Sequence, residues 1–256
     1  MTKPVPYIDP TRPKARFRPL KAWKHMQQLL ADKEDTKQVF HIIEALSGEA
    51  TRKDFVRFLA SESGGELLAK RRFLPDLLDN HDELRKLPKG SVAEAYIKFM
   101  EREGLTAHGL VAESMENREH QSLYDDDLLW YANRLRDTHD LYHVLTGYGR
   151  DALGEDALLG FSHSQNGGLG VSFIAFMGNR QIAKAVPREA RIKDVLVEGR
   201  KHGKLAKRIA DQDIIKLLSE PLEAARKRLN IKKPALYTQA LNVVSELGLE
   251  PAQLAA

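Results

Sequence analysis

The chain has 256 residues, no cysteine and a formal net charge of +4, and hydrophobic residues make up 42% of it. The lack of cysteine excludes disulfides, thiolate metal sites and thiol nucleophiles, so any metal ion must be bound by nitrogen and oxygen atoms. No apolar run reaches the roughly 20 residues that span a bilayer, and the segment from Met1 to Leu20 lacks the apolar core of a secretory signal. We therefore expect one globular domain that is soluble or peripheral to a membrane.

Residues 1–20 form a basic segment in which prolines recur at positions 4, 6, 10, 13 and 19. These prolines would interrupt an amphipathic targeting helix, so the segment is predicted to be an extended arm. From residue 21 onward, apolar residues recur at spacings of three and four, which is typical of amphipathic helices. The spacing predicts helices over residues 23–30, 36–46, 52–59, 92–100, 123–145 and 222–229. Strand-like alternation is scarce, and the prediction is an all-α fold in a single helical domain, residues 21–256.

Two histidines and a carboxylate gather within the predicted helix over residues 123–145. His139 and His143 are four residues apart, so they differ by about 40° around a helix axis and can reach one ion. Asp140 borders the same face, where it would bind the ion directly or orient a ligand. Glu155 follows a glycine-rich turn and would add a carboxylate oxygen from a neighbouring element. The pattern predicts a buried metal site formed by His139, Asp140, His143 and Glu155.

The ordinary alternative is that both histidines are helix residues satisfied by water or backbone. The carboxylates argue against it, because a buried cluster of this kind without a cation leaves acidic charge unpaired. The zinc protease motif His-Glu-x-x-His fits less well, since Asp140 is one methylene shorter than the glutamate that acts there as general base. Arg136 projects onto the same helical face. Its guanidinium would either bind an anionic substrate group or pair with Asp140 at the i+4 position.

A glycine-rich stretch, Gly167-Gly168-x-Gly170, precedes a nearly all-apolar run. It lacks the lysine and hydroxyl of a Walker phosphate loop, and no strand clearly precedes it. The stretch instead predicts a flexible entrance to a helix that is buried on most of its surface. Phe173, Phe176 and Met177 of this helix would either pack in the core or line an apolar groove for a long hydrocarbon.

Basic residues concentrate in two stretches of the C-terminal half. The first comprises Lys184, Arg188, Arg191, Lys193, Arg200, Lys201, Lys204, Lys207 and Arg208. The second comprises Arg226, Lys227, Arg228, Lys232 and Lys233. A solvated face is the ordinary explanation, and no motif or aromatic interleaving supports nucleic-acid binding. An anionic membrane surface fits better than nucleic acid, because each basic residue near such a surface contributes about 1 kcal/mol.

The motif His139-Asp140-x-x-His143-(eleven residues)-Glu155 resembles the signature of the Coq-four family of coenzyme Q (ubiquinone) biosynthesis proteins. Several flanking segments are also similar to that family. They are Leu87-Pro88-x-Gly90-Ser91-x-x-x-x-Tyr96, Arg136, Leu153-Gly154-Glu155 and Arg226-x-x-Leu229-Asn230-Ile231. The likeness is strongest over residues 85–232.

The resemblance implies a metal-dependent enzyme of ubiquinone biosynthesis. The reaction would be oxidative decarboxylation of a polyprenylated aromatic precursor, in which a hydroxyl replaces the C1 carboxylate. Arg136 and Asp140 would be catalytic, and the cofactor would be one divalent ion, most often zinc, with iron, cobalt or manganese also permitted by the ligands. Two alternatives stay open: a scaffold or lipid-binding component with a structural metal, and a metal-dependent hydrolase.

The resemblance also implies a polyprenylated aromatic lipid and other coenzyme Q biosynthesis proteins as partners, and no nucleic acid. Homo-oligomer formation is left open. We expect a cytoplasmic protein that is peripheral on the inner face of the cell membrane, or on the matrix side of a mitochondrial membrane in a eukaryote.

Overall fold

The computed structural model describes residues 5–32, 35, 37–116 and 124–249. Helices dominate these residues, and no strand occurs among them beyond one isolated antiparallel bridge between Ser91 and Pro221. The prediction of an all-α fold is confirmed.

Short and medium-length helices follow one another along the chain. They are α1 (Pro19–Ala31), α2 (Lys37–Ser47), α3 (Ala50–Ala60), α4 (Gly64–Lys70), α5 (Leu74–Leu78), α6 (His81–Leu84), α7 (Val92–Glu103), α8 (Ala107–Glu116), α9 (Asp127–Asp137), α10 (His139–Thr146), α11 (Ala152–Asn166), α12 (Leu169–Ala185), a 3-10 helix (Arg188–Ala190), α13 (Ile192–Leu205), α14 (Ile214–Ser219), α15 (Leu222–Leu229) and α16 (Ala235–Glu246). The predicted helices over 23–30, 52–59, 92–100 and 222–229 lie within α1, α3, α7 and α15. α2 matches the prediction over 36–46, whose first residue, Thr36, lies outside the described residues.

The chain forms two compact units, each assembled from segments that are distant in sequence. The first unit comprises Met1–Lys14, Thr51–Leu145 and Arg208–Leu229. The second unit comprises Ala15–Ala50, Thr146–Lys207 and Asn230–Ala256. The basic segment over residues 1–20 is therefore divided between them.

The core of the first unit forms where α3, α4 and α9 place aromatic and leucine side chains on shared faces. It contains Phe55, Phe58, Leu67, Leu68, Leu128 and Tyr131. Beside it, buried Asp54 accepts hydrogen bonds from the Tyr131 hydroxyl and from Nη2 of Arg208, the latter at 2.8 Å. Arg208 is thus an internal ion-pair partner with a side chain only 12% exposed, although the sequence placed it in a basic surface stretch.

The N-terminal segment of the first unit is held against the start of α9. The carboxylate of Asp126 accepts the backbone N–H of Leu129 at 2.9 Å, which caps the helix. The same carboxylate accepts two bonds from the Arg12 guanidinium, at 2.9 and 2.6 Å. Asp127 accepts the backbone N–H of Tyr7 at 2.7 Å. The acidic start of α9 therefore fixes both the helix and the chain that precedes α1.

In the second unit, α11 and α13 approach each other closely at two glycines. A Cβ atom added to Gly199 would lie 2.3 Å from the carbonyl oxygen of Ala157, and one added to Gly203 would lie 2.3 Å from that of Phe161. The two glycines are four residues apart and share one face of α13. Their missing side chains therefore set the distance between the two helices.

Asp156, on α11, is a buried carboxyl group in the second unit, 3% exposed. It accepts the side-chain amide of Asn179 at 2.8 Å, and that amide also donates to the carbonyl of Ile192 at 2.9 Å. Burial raises the pKa of Asp156 to about 7, and the bonds from Asn179 oppose this shift. Asp156 is therefore a group whose charge depends on pH near neutrality.

Candidate metal centre

Two helices, α9 and α10, occupy the segment that the sequence predicted as one helix over residues 123–145. α9 ends at Asp137, Thr138 has φ −93° and ψ 0°, and α10 begins at His139. The Thr138 hydroxyl donates to the carbonyl of Arg134 at 2.9 Å, and such bonds back to the preceding turn bend helices. The prediction of one continuous helix was wrong at Thr138 alone, because the i→i−4 backbone bonds from Thr138 to Arg134 and from Tyr142 to Thr138 are kept, at 3.1 and 3.3 Å. Leu123 lies outside the described residues.

The three predicted ligands of α10 lie together in the structure. The rings of His139 and His143 have centroids 5.0 Å apart and are nearly perpendicular, at 86°. One potential ligand atom from each of His139, Asp140 and His143 lies within 4.8 Å of the other two. The group is therefore able to hold a metal ion, and the one-turn spacing of the histidines explains why they share a face.

Burial makes this group chemically unusual. His143 is 2% exposed and Asp140 is 8% exposed. Phe99 of α7 stacks on the ring of His143, with centroids 5.3 Å apart and planes inclined by 20°. Over the described ranges, no lysine or arginine forms an ion pair with the Asp140 carboxylate. A buried carboxylate beside two imidazoles is stabilised by a cation, so the donor set fits a divalent metal.

Arg136 pairs with the adjacent Asp137 and not with Asp140. Its Nε atom donates to Oδ1 of Asp137 at 2.7 Å, Nη2 lies 2.6 Å from the same oxygen, and Nη1 donates to the Ser114 hydroxyl at 3.5 Å. The predicted alternative, a pair with Asp140 at the i+4 position, is therefore not formed. Arg136 is thus a buried cation at the end of α9, with a side chain 7% exposed. Its catalytic role and its contact with substrate stay predictions.

The C-terminal end of α10 is held by Arg226 of α15. Its Nε atom donates to the carbonyl of Leu145 at 2.9 Å, and Nη2 donates to that of Val144 at 3.0 Å. A cation that binds the last carbonyls of a helix also interacts favourably with the helix dipole. The sequence placed Arg226 only in a basic stretch and in a family-like segment. The contact joins residues 81 positions apart, so no local pattern could reveal it.

Glu155, the fourth predicted ligand, lies in the first turn of α11 in the second unit. Asp151 caps this helix by accepting the backbone N–H groups of Leu153 and Gly154 at 3.2 and 3.0 Å. Oε1 of Glu155 lies 3.9 Å from Nε of Arg150, and the Glu155 side chain is 33% exposed. Its binding to a metal ion stays a prediction.

The glycine-rich stretch leads into α12, as predicted. Gly167 and Gly168 have φ angles of 76° and 90°, which favour glycine, and α12 begins at the next residue. The fully buried positions of α12 recur along its length. They are Gly170, Ile174, Ala175, Asn179 and Ile182. Seven further positions of α12 are partly buried, and the exposed ones are Leu169, Phe176, Arg180, Lys184 and Ala185. Neighbouring helices therefore cover most of α12, as predicted, and one exposed strip remains.

The three predicted lining residues of α12 differ in their surroundings. Phe173 and Met177 are partly buried and pack against the apolar cluster that α1 and α2 form around Met26. The ring of Phe173 also lies 6.5 Å from that of Trp23, measured between centroids. Phe176 is 53% exposed. Contact of these side chains with a hydrocarbon, and the apolar groove itself, stay predictions.

Comparison with known proteins assigns the family. The sequence profile of the family described as "Coenzyme Q (ubiquinone) biosynthesis protein Coq4" matches residues 22–235. The chain belongs to this family. The match begins well before residue 85, so the N-terminal helices, which showed no resemblance in the sequence, are part of the family's common region.

Individual relatives agree with this assignment. The mitochondrial ubiquinone biosynthesis protein COQ4 of Komagataella phaffii is 26% identical over 182 residues, which cover 70% of this chain and 56% of that protein. The mitochondrial COQ4 homologue of Bos taurus is 25% identical over 207 residues, covering 78% of this chain and 75% of its own length. The matched region therefore spans little more than half the length of the Komagataella relative.

A solved structure shares the fold. The crystal structure of a Nostoc punctiforme protein named for ubiquinone biosynthesis superposes with a TM-score of 0.59. The two chains are 21% identical, and the superposition covers 85% of this chain and 100% of the other. At this level of identity the likeness shows a common fold alone.

Proposed function

We propose that this Coq4 protein acts in ubiquinone biosynthesis through one divalent metal ion held by His139, Asp140 and His143, with Glu155 as a fourth ligand. The observation that carries the proposal is the convergence of three ligand atoms within 4.8 Å on α10. Two of these residues are buried, and the buried carboxylate has no lysine or arginine ion-pair partner in the described part of the chain. Zinc is the metal expected most often, and iron, cobalt and manganese also suit nitrogen and oxygen donors.

The proposed reaction is oxidative decarboxylation at C1 of a polyprenylated aromatic precursor. A ring hydroxyl replaces the carboxylate, which leaves as carbon dioxide. The exchange adds one oxygen atom to the ring and withdraws two electrons from the precursor, so it requires water as the source of the hydroxyl oxygen and a two-electron acceptor such as dioxygen, which is reduced to hydrogen peroxide. When bound, the ion would supply Lewis acidity towards the carboxylate or the adjacent phenolic oxygen.

The chain's own charged groups have distinct proposed roles. Asp140 would hold the ion and orient the ligands around it. The buried guanidinium of Arg136 would hold an anionic group of the substrate, because its planar fork suits carboxylate or phosphate oxygens. Arg136→Lys should then retain metal and fold while weakening substrate binding, since a point charge replaces the fork.

The proposed partners are the polyprenylated lipid substrate, other coenzyme Q biosynthesis proteins and a membrane surface. No helix in the described part of the chain combines the length and apolarity needed to cross a bilayer. Exposed Phe176, with Phe173 and Met177 beside it on α12, would contact the prenyl chain. Because the curated relatives are named mitochondrial, we propose a peripheral membrane location, on the matrix side in a mitochondrion or on the inner face of a bacterial cell membrane.

The reaction is tested with purified, metal-loaded protein and a C1-carboxylated prenyl phenol in air. Mass spectrometry should show the C1-hydroxylated product. Glu155→Gln should abolish that product while leaving the helical circular dichroism unchanged, because only a ligand charge is lost. Glu189→Gln, an exposed change in the same unit, is the matched control and should retain activity.

The same variants separate an enzyme from a scaffold with a structural metal. If the ion serves folding alone, Glu155→Gln should lose structure and function together. A folded Glu155→Gln variant that makes product at the wild-type rate would contradict the proposed role of Glu155. Wild-type protein that binds metal but forms no hydroxylated product would contradict the proposed reaction.

A further inference from the structure

The hydroxyl of Tyr96 is a buried polar group that has no role in the proposed reaction. Tyr96 lies in the middle of α7 and is 1% exposed. Over the residues that the structure describes, its hydroxyl oxygen is buried and has no hydrogen-bond partner. A buried hydroxyl without a partner is unfavourable, so its presence indicates a group that binds there in the working protein.

The position of Tyr96 on α7 places it beside the metal-binding residues. Phe99, three residues later on the same face of α7, stacks on the ring of His143. Burial raises the pKa of Tyr96, and the carboxylates of Asp140, Asp79 and Asp137 raise it further. The phenol is therefore a neutral hydrogen-bond donor that lies in the field of a predicted ligand.

A second polar atom adjoins the same ring. The imidazole of His81 meets Tyr96 edge-on, with centroids 6.4 Å apart. Nε2 of His81 is also buried and lacks a hydrogen-bond partner among the described residues. The Tyr96 hydroxyl and Nε2 of His81 are thus two unsatisfied polar atoms in neighbouring side chains. An apolar core would not leave both of them unpaired, so they indicate a polar space beside α7.

We propose that the Tyr96 hydroxyl donates a hydrogen bond to a carboxylate or phenolate oxygen of the ligand that binds at His139, Asp140 and His143. This inference rests on the proposed function, because it takes that site as the place where an anionic aromatic ligand binds. The surrounding carboxylates would repel such a ligand. A neutral donor provides a charge-assisted bond to the ligand oxygen without burying a second charge.

Tyr96→Phe tests the proposal, because it removes one oxygen and leaves the ring in place. Wild-type and variant proteins are loaded with cobalt, and metal content is measured by elemental analysis. A short-chain, C1-carboxylated prenyl phenol is then titrated while cobalt absorption reports binding. Tyr96→Phe should keep its cobalt and an equal or higher Tm, and its Kd for the probe should rise about tenfold to a hundredfold.

Tyr131→Phe is the matched control. Tyr131 is equally buried in the first unit, but its hydroxyl bonds to Asp54 and Arg208. This variant should lose thermal stability and keep the wild-type Kd for the probe. The two tyrosines should therefore show opposite patterns of stability and binding.

The outcomes separate this proposal from the proposed function. An unchanged probe Kd in Tyr96→Phe, with normal binding by the wild type, overturns the role of Tyr96 alone. A loss of Tm as large as that of Tyr131→Phe, or a loss of cobalt, also overturns it, because the hydroxyl would then serve the fold or the metal. Wild-type protein that binds no cobalt or no probe overturns the proposed function and this inference together.

Discussion

Replacing Arg226 should destabilise the protein more than replacing its neighbour Arg228, because Arg226 binds the end of α10 and Arg228 does not. Two hydrogen bonds join the Arg226 guanidinium to the carbonyls of Leu145 and Val144, at 2.9 and 3.0 Å. Hydrogen bonds that involve a charged group contribute about 1.5–3 kcal/mol each. The Arg226 side chain is 24% exposed, so the lower end of that range applies to both bonds. We expect Arg226→Met to lower the free energy of unfolding by about 3 kcal/mol.

Arg228→Met provides a matched control on the same helix. Arg228 donates to Glu220 at 2.9 and 2.7 Å and to the side chain of Gln212 at 2.8 Å. Its side chain is 40% exposed, and exposed ion pairs contribute about 0–1 kcal/mol. We therefore expect a loss of at most about 1 kcal/mol for this variant. Methionine keeps much of the apolar stem in both cases, so the comparison isolates the guanidinium.

Urea denaturation of metal-free protein, followed by circular dichroism and extrapolated to water, measures both losses. The affinity for zinc, measured by competition with a chelating dye, should also fall for Arg226→Met because His143 lies in the turn that Arg226 holds. Equal destabilisation by the two substitutions would refute the reasoning that Arg226 anchors α10. An unchanged zinc affinity in a clearly destabilised Arg226→Met protein would refute the link from that anchor to the metal site.

Three further predictions concern the site and the second unit. Elemental analysis of the wild type should find roughly one metal ion per chain, and His143→Ala should lose most of it. His108→Ala, an exposed change outside the metal-binding group, should keep the metal. Gly199→Ala should lower the free energy of unfolding by at least about 2 kcal/mol, because its Cβ would lie 2.3 Å from a carbonyl oxygen of α11. Gly109→Ala is the control and should lower it by no more than about 0.3 kcal/mol. In metal-free protein, the contribution of Asp156 to stability should fall as pH rises from about 4 to about 7, because folded Asp156 keeps its proton up to a pKa of about 7 while the unfolded chain releases it near 3.8. Asp156→Asn should lack that contribution, so urea midpoints of the wild type should fall relative to those of the variant over this range, and parallel pH profiles would count against the buried carboxyl as the cause.

Short-range regularities in the sequence determined the helical class and the centre of the candidate site. Apolar spacing of three and four residues marks a helix wherever one face is buried, which is why α1, α3, α7 and α15 could be predicted. His139 and His143 are one helical turn apart, so the backbone brings them together whatever the rest of the fold does. The lack of cysteine likewise fixed nitrogen and oxygen as the donor atoms.

Contacts between distant segments were decided only by the tertiary structure. The sequence offered Asp140 as a partner for Arg136, but the folded chain pairs Arg136 with Asp137 and with Ser114 of α8. The contacts of Phe99 with His143 and of Arg226 with the end of α10 each join helices that are far apart in the chain. Such pairings depend on which faces are buried together, and the free energy of that burial is shared over the whole core. No local sequence periodicity reveals these long-range contacts. The sequence alone could therefore predict the histidines but not the residues that surround and hold them.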